Sequence, residues 1–167
     1  MASEEFTDAI ALLKADHRTV EELFEKFEKG QSGSKQQIAD QICNELKIHS
    51  MIEEEIFYPS LEGKIEQELL DEAYVEHDGA KVLINEIAAG GPDEEFYDAK
   101  VKVLQEEIEH HVKEEEKPSE GIFAQARDAE VDLVALRDQM MTRKQELMAQ
   151  AEAGGLPPAE PRTLTNA

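Results

Sequence analysis

The chain has 167 residues, with 39 Asp and Glu against 17 Lys and Arg, a formal net charge of -22. That balance excludes a phosphate-backbone partner, which needs clustered cations, and equally a docking face for anionic membranes. One cysteine, Cys43, excludes an internal disulfide and any CxxC motif, while the 40% hydrophobic fraction suits one folded domain. No apolar run approaches the ~20 residues of a membrane span. The acidic stretch from Met1 to Phe6 lacks the basic and apolar regions of a signal peptide, so a cytoplasmic location is expected.

Five helical segments follow in order. The first runs from about Thr7 to Lys29, with Thr7 as N-cap and Leu13, Val20, Phe24 and Phe27 along its apolar stripe. Gly30 and Gly33 mark a loop, and Ser34-Lys35-Gln36-Gln37 fits a capping box for the second helix. Ile38, Ile42, Leu46, Ile52 and Ile56 face inward there, and Pro59 stops or kinks it. After Gly63 the third stripe reads Leu70, Ala73, Ala80, Ile84 and Ile87, closed by Gly90-Gly91-Pro92. Asp93 is the expected cap of the fourth helix, whose stripe holds Tyr97, Val101, Leu104 and Ile108 before Pro118 limits it. A fifth segment, about Val131 to Ala149, carries Val134, Leu136, Met140 and Leu147.

No segment alternates with period two. The expected fold is all-α: an up-down-up-down four-helix bundle with an additional C-terminal helix, which either packs across the bundle or pairs with a second copy as a homodimer. Residues 1–150 form the domain. Residues 151–167, rich in Pro and Gly from Gly154 on, read as a flexible tail.

The chemistry lies in polar residues set inside the stripes. His17 falls between Leu13 and Val20, His49 between Leu46 and Glu53, His77 between Ala73 and Ala80, and His111 between Ile108 and Glu115. Each of the first four helices thus directs one histidine at the bundle axis, and two also direct a glutamate there, four residues on. One core histidine is more often a hydrogen-bonded group than a ligand; four of them, one per helix, reverse that weighting. Buried glutamates are costly without a cation, and the stripes hold no lysine or arginine that would clearly neutralise them. Four imidazoles and two carboxylates can hold two metals, and this N/O donor set suits iron, manganese or zinc more than calcium or magnesium. The spacing repeats: His17 precedes the His49/Glu53 pair by 32 residues, and His77 precedes His111/Glu115 by 34. Glu54, Glu116 and His110 each lie off the stripe and are expected outside the ligand set.

These residues resemble the hemerythrin-like, HHE cation-binding family. The matching text is Leu13 to His17, Glu45 to His49 with Glu53 through Pro59, Glu76-His77, and His111 through Glu116, within a resemblance spanning about residues 9 to 150. The resemblance implies a non-haem centre of two iron ions (Fe2+/Fe3+) ligated by His17, His49, Glu53, His77, His111 and Glu115. The glutamates would bridge, and an oxo or hydroxo group would complete the centre. O2-carrying members use a fifth histidine one turn from the third-helix ligand. The flanking positions here are Ala73 and Lys81. The second hairpin also departs, continuing through Lys117-Pro118-Ser119 to Ile122-Phe123.

The expected function is binding or sensing of a small diatomic, O2 or NO, or of redox state, with Phe24, Phe57, Ile56 and Ile108 excluding water. The alternatives are a di-iron enzyme handling peroxide or NO, and iron storage, delivery or a structural metal. No phosphate-cradling loop and no Ser or Cys nucleophile constellation is present.

Overall fold

The first helix starts from Asp8 rather than Thr7. Asp8 Oδ1 accepts the Ala11 amide at 2.9 Å, and its Oδ2 pairs with Arg127 at 3.0 Å. A carboxylate satisfies an orphan amide and favours the positive helix end at once, which a hydroxyl does less well. In this computed structural model, which describes residues 5–30 and 34–164, the expected loop glycine Gly33 and the last three tail residues lie outside the described residues. The elements are α1 (Ala9–Glu28), α2 (Lys35–Ile52), a π-helical turn (Glu53–Phe57), α3 (Tyr58–Leu61), α4 (Gln67–Ala89), α5 (Tyr97–Glu116), α6 (Ile122–Asp128) and α7 (Leu133–Ala153). Ser34 holds the N-cap position of α2. Among the described residues there is no strand.

Pro59 does not stop the second helix. The chain passes through it by widening: the Tyr58 amide bonds back to the Glu53 carbonyl, five residues earlier. Proline lacks an N–H and its ring crowds the carbonyl four residues back, and a π turn relieves both demands. Gly63, at φ 75, then reverses the chain. Asp93 does not cap α5. That helix begins after Phe96, an exposed residue at φ 69 in the left-handed region.

α1 packs on α2 and α4 on α5; α2 lies against α4 and α1 against α5, which closes the four-helix ring. α7 packs across α1, α2 and the π turn, burying Leu136, Met140 and Leu147, while Val134 is exposed. The stretch after Glu116, with no expected element, forms α6. There Gly121 sits so close to the end of α5 that a Cβ would meet the Glu115 carbonyl at 2.6 Å. Glycine is what lets this loop close against the helix carrying Glu115 and Glu116.

The apolar interior is split in two. One cluster, around Leu12, Ile52, Phe57, Leu70, Phe123 and Met140, joins the bundle to α6 and α7. The other, around Phe24, Ile42, Ile84, Val101 and Leu104, fills the opposite end. His17, His49, His77 and His111 form the polar layer between them. Residues 157–164, within the stretch expected to be a flexible tail, run as an extended strap along α4. Asn85 and Ala159 bond reciprocally at 2.9 Å, and the Lys81 ammonium donates to the Glu160 carbonyl at 2.9 Å.

Candidate metal centre

All six residues singled out by spacing come together, each from its own turn of helix. Glu53 and Glu115 are fully buried, and the histidines are 4–7% exposed. Two groups of donor atoms form. His17, His49, Glu53 and Glu115 make one; Glu53, His77 and His111 make the other. Glu53 belongs to both, its Oε1 lying 3.1 Å from His49 Nε2 and 3.1 Å from His77 Nε2. Glu115 Oε1 stands 3.2 Å from His17 Nε2 and 3.4 Å from His111 Nε2.

The donor chemistry fits a cation. His17 Nε2, His49 Nε2, both Glu53 oxygens and Glu115 Oε1 are buried without a hydrogen-bond partner in their favoured geometry. Buried polar atoms are nearly always satisfied, so a cluster of orphans all aimed at one space marks a ligand's place. His77 Nε2 and His111 Nε2 face each other at 3.1 Å. Burial alone would lower the His111 pKa, yet Glu115, Glu76 and Glu53 lift it to about 10. Burial likewise opposes charge on His49, and Glu53 and Asp16 raise it well above the usual imidazole range. The carboxylates demand positive charge, which either protons or metal can supply.

The tautomers are set by a closed ring of carboxylates. Each histidine donates its Nδ1–H to an acid on a neighbouring helix: His49 to Asp16 of α1 at 3.0 Å, His77 to Glu54 of the π turn at 2.7 Å, His111 to Glu76 of α4 at 2.7 Å, and His17 to Glu116 of α5 at 2.6 Å. With Nδ1–H committed outward, every Nε2 points into the centre, where its lone pair becomes available to a metal once any proton there is lost. Each acid in turn meets a basic side chain: Lys144 on Asp16, Lys81 on Glu54, His110 on Glu76 and Arg18 on Glu116. His110 is thus a surface partner of Glu76, outside the donor groups. Glu54 and Glu116 support the ring from outside it.

Spacing did not single out Tyr58 or Phe123. Tyr58 Oη donates to Glu115 Oε2 at 2.6 Å and stands 3.4 and 3.3 Å from His77 and His111 Nε2. Burial and the adjacent Glu115 and Glu53 hold its pKa well above the usual phenol value. In an α-helix, a residue five positions after Glu53 would sit roughly 140° away from it. The π turn brings Tyr58 back over Glu53. Phe123 of α6 stacks on the His17 ring at 5.8 Å. A cavity of about 30 Å³ abuts the four histidines, its apolar wall formed by Val20, Leu46, Ala80, Ile84, Ile108 and Val112. Of the apolar neighbours expected to exclude water, Ile108 lines it; Phe24 belongs to the far cluster, Phe57 to the near one, and Ile56 packs against the near one.

Cys43 is buried in the far cluster, its thiol directed at the Ile84 carbonyl at 3.6 Å. Burial pushes its pKa up to about 11, with Asp40 adding and Lys47 opposing. The thiolate is the reactive form, so the native protein will leave a disulfide reagent unconsumed at pH 8 and react stoichiometrically once denatured. Prompt labelling of the native protein would contradict this placement.

An imidazole–carboxylate cluster between the helices of a four-helix bundle defines a metal-binding helical protein. The model of the hemerythrin HHE cation binding domain matches residues 8–118, more than half of the chain, and the chain belongs to that family. Its fold is similar to that of a hemerythrin HHE cation binding domain-containing protein from Mycobacterium kansasii, with a TM-score of 0.71 and 21% identity over 90% of this chain and 96% of the other. A curated relative, a DNA nickase from Nostoc sp., is 28% identical over 106 residues, 63% of this chain. The match spans 30% of that protein's length.

Proposed function

We propose that this hemerythrin-like protein holds two iron ions and uses them to bind or sense O2, NO or redox state. His17, His49, Glu53 and Glu115 would hold one ion, and His77 and His111, sharing Glu53, the other. The observation that carries this reading is the convergence of orphaned buried donors beside a small, mostly apolar cavity of about 30 Å³. That volume, about two to three water-sized spheres, suits a diatomic better than an organic substrate. Ferrous iron, when bound, supplies electrons and an affinity for O2 and NO. The protein's own residues hold the imidazole lone pairs inward, exclude bulk water and place the Tyr58 hydroxyl beside the donors.

The test is anaerobic loading with ferrous iron, metal analysis and near-ultraviolet spectra before and after O2 or NO. Two irons per chain and ligand-dependent bands are expected. A loaded protein whose spectrum ignores both gases would overturn the sensing reading.

One observation favours the enzymatic alternative. The Tyr58 phenol is a buried proton held 2.6 Å from Glu115, where a peroxide or NO-derived oxygen would need one. Tyr58→Phe is expected to slow any peroxide consumption by about 10²-fold or more, with iron content unchanged. Full turnover in that variant would remove the phenol from the chemistry. The nicking activity named for the Nostoc relative is not transferred here, because a net charge of -22 repels a phosphate backbone.

A further inference from the structure

The carboxylates behind the histidines are not equally protected. Glu116 and Glu76 meet Arg18 and His110, whose side chains are 53% and 66% exposed. Asp16 and Glu54 are buried and meet buried or nearly buried ammonium groups. Each donor group therefore has one histidine backed by a surface pair and one by an interior carboxylate–lysine pair. Both interior pairs touch residues beyond 118, outside the segment that matches the family model. Lys144 comes from α7, 2.5 Å from Asp16 Oδ1. Lys81 is held by the strap through the Glu160 carbonyl.

We propose that Lys144 is a positioning residue of the metal centre, so that α7 is a functional part of it and not merely a helix covering the bundle. The chain of contacts is short and directional. The Lys144 ammonium fixes Asp16 through Oδ1, and Asp16 Oδ2 accepts the His49 Nδ1–H at 3.0 Å. His49 Nε2 faces Glu53, the residue common to both donor groups. The Lys144 charge limits how strongly Asp16 pulls on that proton, and hence how electron-rich Nε2 becomes. Its side chain is 15% exposed, so water screens this charge little. Partners of this outer kind typically change metal affinity by about 10–100-fold when removed.

The proposal rests on reading His49 as a ligand, and the experiment separates the two. Full-length wild-type protein, Lys144→Met, Lys144→Arg and Lys102→Met are loaded with ferrous iron alone. Lys102 is an exposed lysine paired with Glu28, so its variant removes the same formal charge at the surface. Iron per chain, release to a competing chelator and the midpoint potential are measured, with helix content checked by circular dichroism. We expect Lys144→Met to stay helical and to show a lower potential, because a largely buried positive charge has left; it should also release iron about tenfold faster or more, because an Asp16 no longer fixed through Oδ1 holds His49 loosely, a loss of positioning that outweighs the more electron-rich Nε2. Lys144→Arg should restore both values, and Lys102→Met should match wild type. Wild-type release and potential in Lys144→Met would overturn the proposal, as would an equal effect from Lys102→Met. If Lys144→Met does not fold, the Arg variant decides, since loss of wild-type potential with the charge retained is also incompatible. A wild-type protein that takes up no iron would instead sink the ligand assignment itself.

Discussion

Replacing Glu53 with alanine will empty both halves of the centre at once. Its carboxylate is the only side chain shared by the two donor groups among the described residues, and it lies 3.1 Å from an imidazole nitrogen of each. Removing it leaves His77 and His111 without the carboxylate of their donor group and takes an anion from the group of His17 and His49. A loss of at least about 100-fold in affinity is expected at each position, about 2.7 kcal/mol. Glu115→Ala should act unevenly, because Glu115 completes the His17/His49 group and reaches the other only through His111, at 3.4 Å. Metal per chain after equilibrium with a chelator reads both outcomes. A Glu53→Ala protein that retains two metals per chain would show that the donor groups are not what holds them.

Asp78→Ala will release the C-terminal strap. Asp78 is fully buried and receives the amides of Arg162, Thr163 and Leu164, the Thr163 hydroxyl and the Lys81 ammonium. Hydrogen bonds to a charged group are worth about 1.5–3 kcal/mol each, less what water returns to the freed strap. A net loss of roughly 2–4 kcal/mol is expected, lowering Tm by roughly 5–10 °C in a chain of this size. Trypsin should then cut after Arg162 in the folded variant and spare the wild type, a difference that intact mass reads directly. The same contact sets a pH window. Burial would raise the Asp78 pKa, but the Thr163 hydroxyl and the three amides outweigh it and hold it far below the ordinary carboxylate value. A depressed pKa stabilises the fold above the unfolded value and loses that contribution as pH falls towards the folded one. The strap should therefore stay attached through mildly acidic conditions and detach only in strong acid. Detachment at pH 5 would refute this.

Periodicity located the six inward residues because each sits in a regular run of three- and four-residue steps on its own helix. It missed Tyr58 because a π turn shifts the phase between Glu53 and Pro59, and nothing in the local text distinguishes that turn from a kink. It could not assign the outer carboxylates for a different reason. Asp16 lies on the buried face of α1 beside His17, yet it serves His49 of another helix. The pairing is tertiary, so sequence adjacency points to the wrong partner. Phe123 was invisible behind Pro118, since a seven-residue helix is too short to show a period. The strap shows the same limit: Pro- and Gly-rich text resembles linker, and what ties this one down is a buried aspartate about eighty residues earlier.

The ring of histidines and carboxylates has no free end. Asp16 passes from α1 to α2, Glu54 from the π turn to α4, Glu76 from α4 to α5, and Glu116 from α5 back to α1. Apolar stripes alone tolerate sliding of one helix past another by a turn, because one leucine-like side chain replaces the next. Here a shift of α5 by one turn would deprive His17 of Glu116 and move His111 away from Glu76 in the same step. The polar layer is therefore a register lock: it penalises every misaligned bundle that the hydrophobic pattern would accept. The geometry that prepares the site for a metal also selects the one helix arrangement in which that site exists.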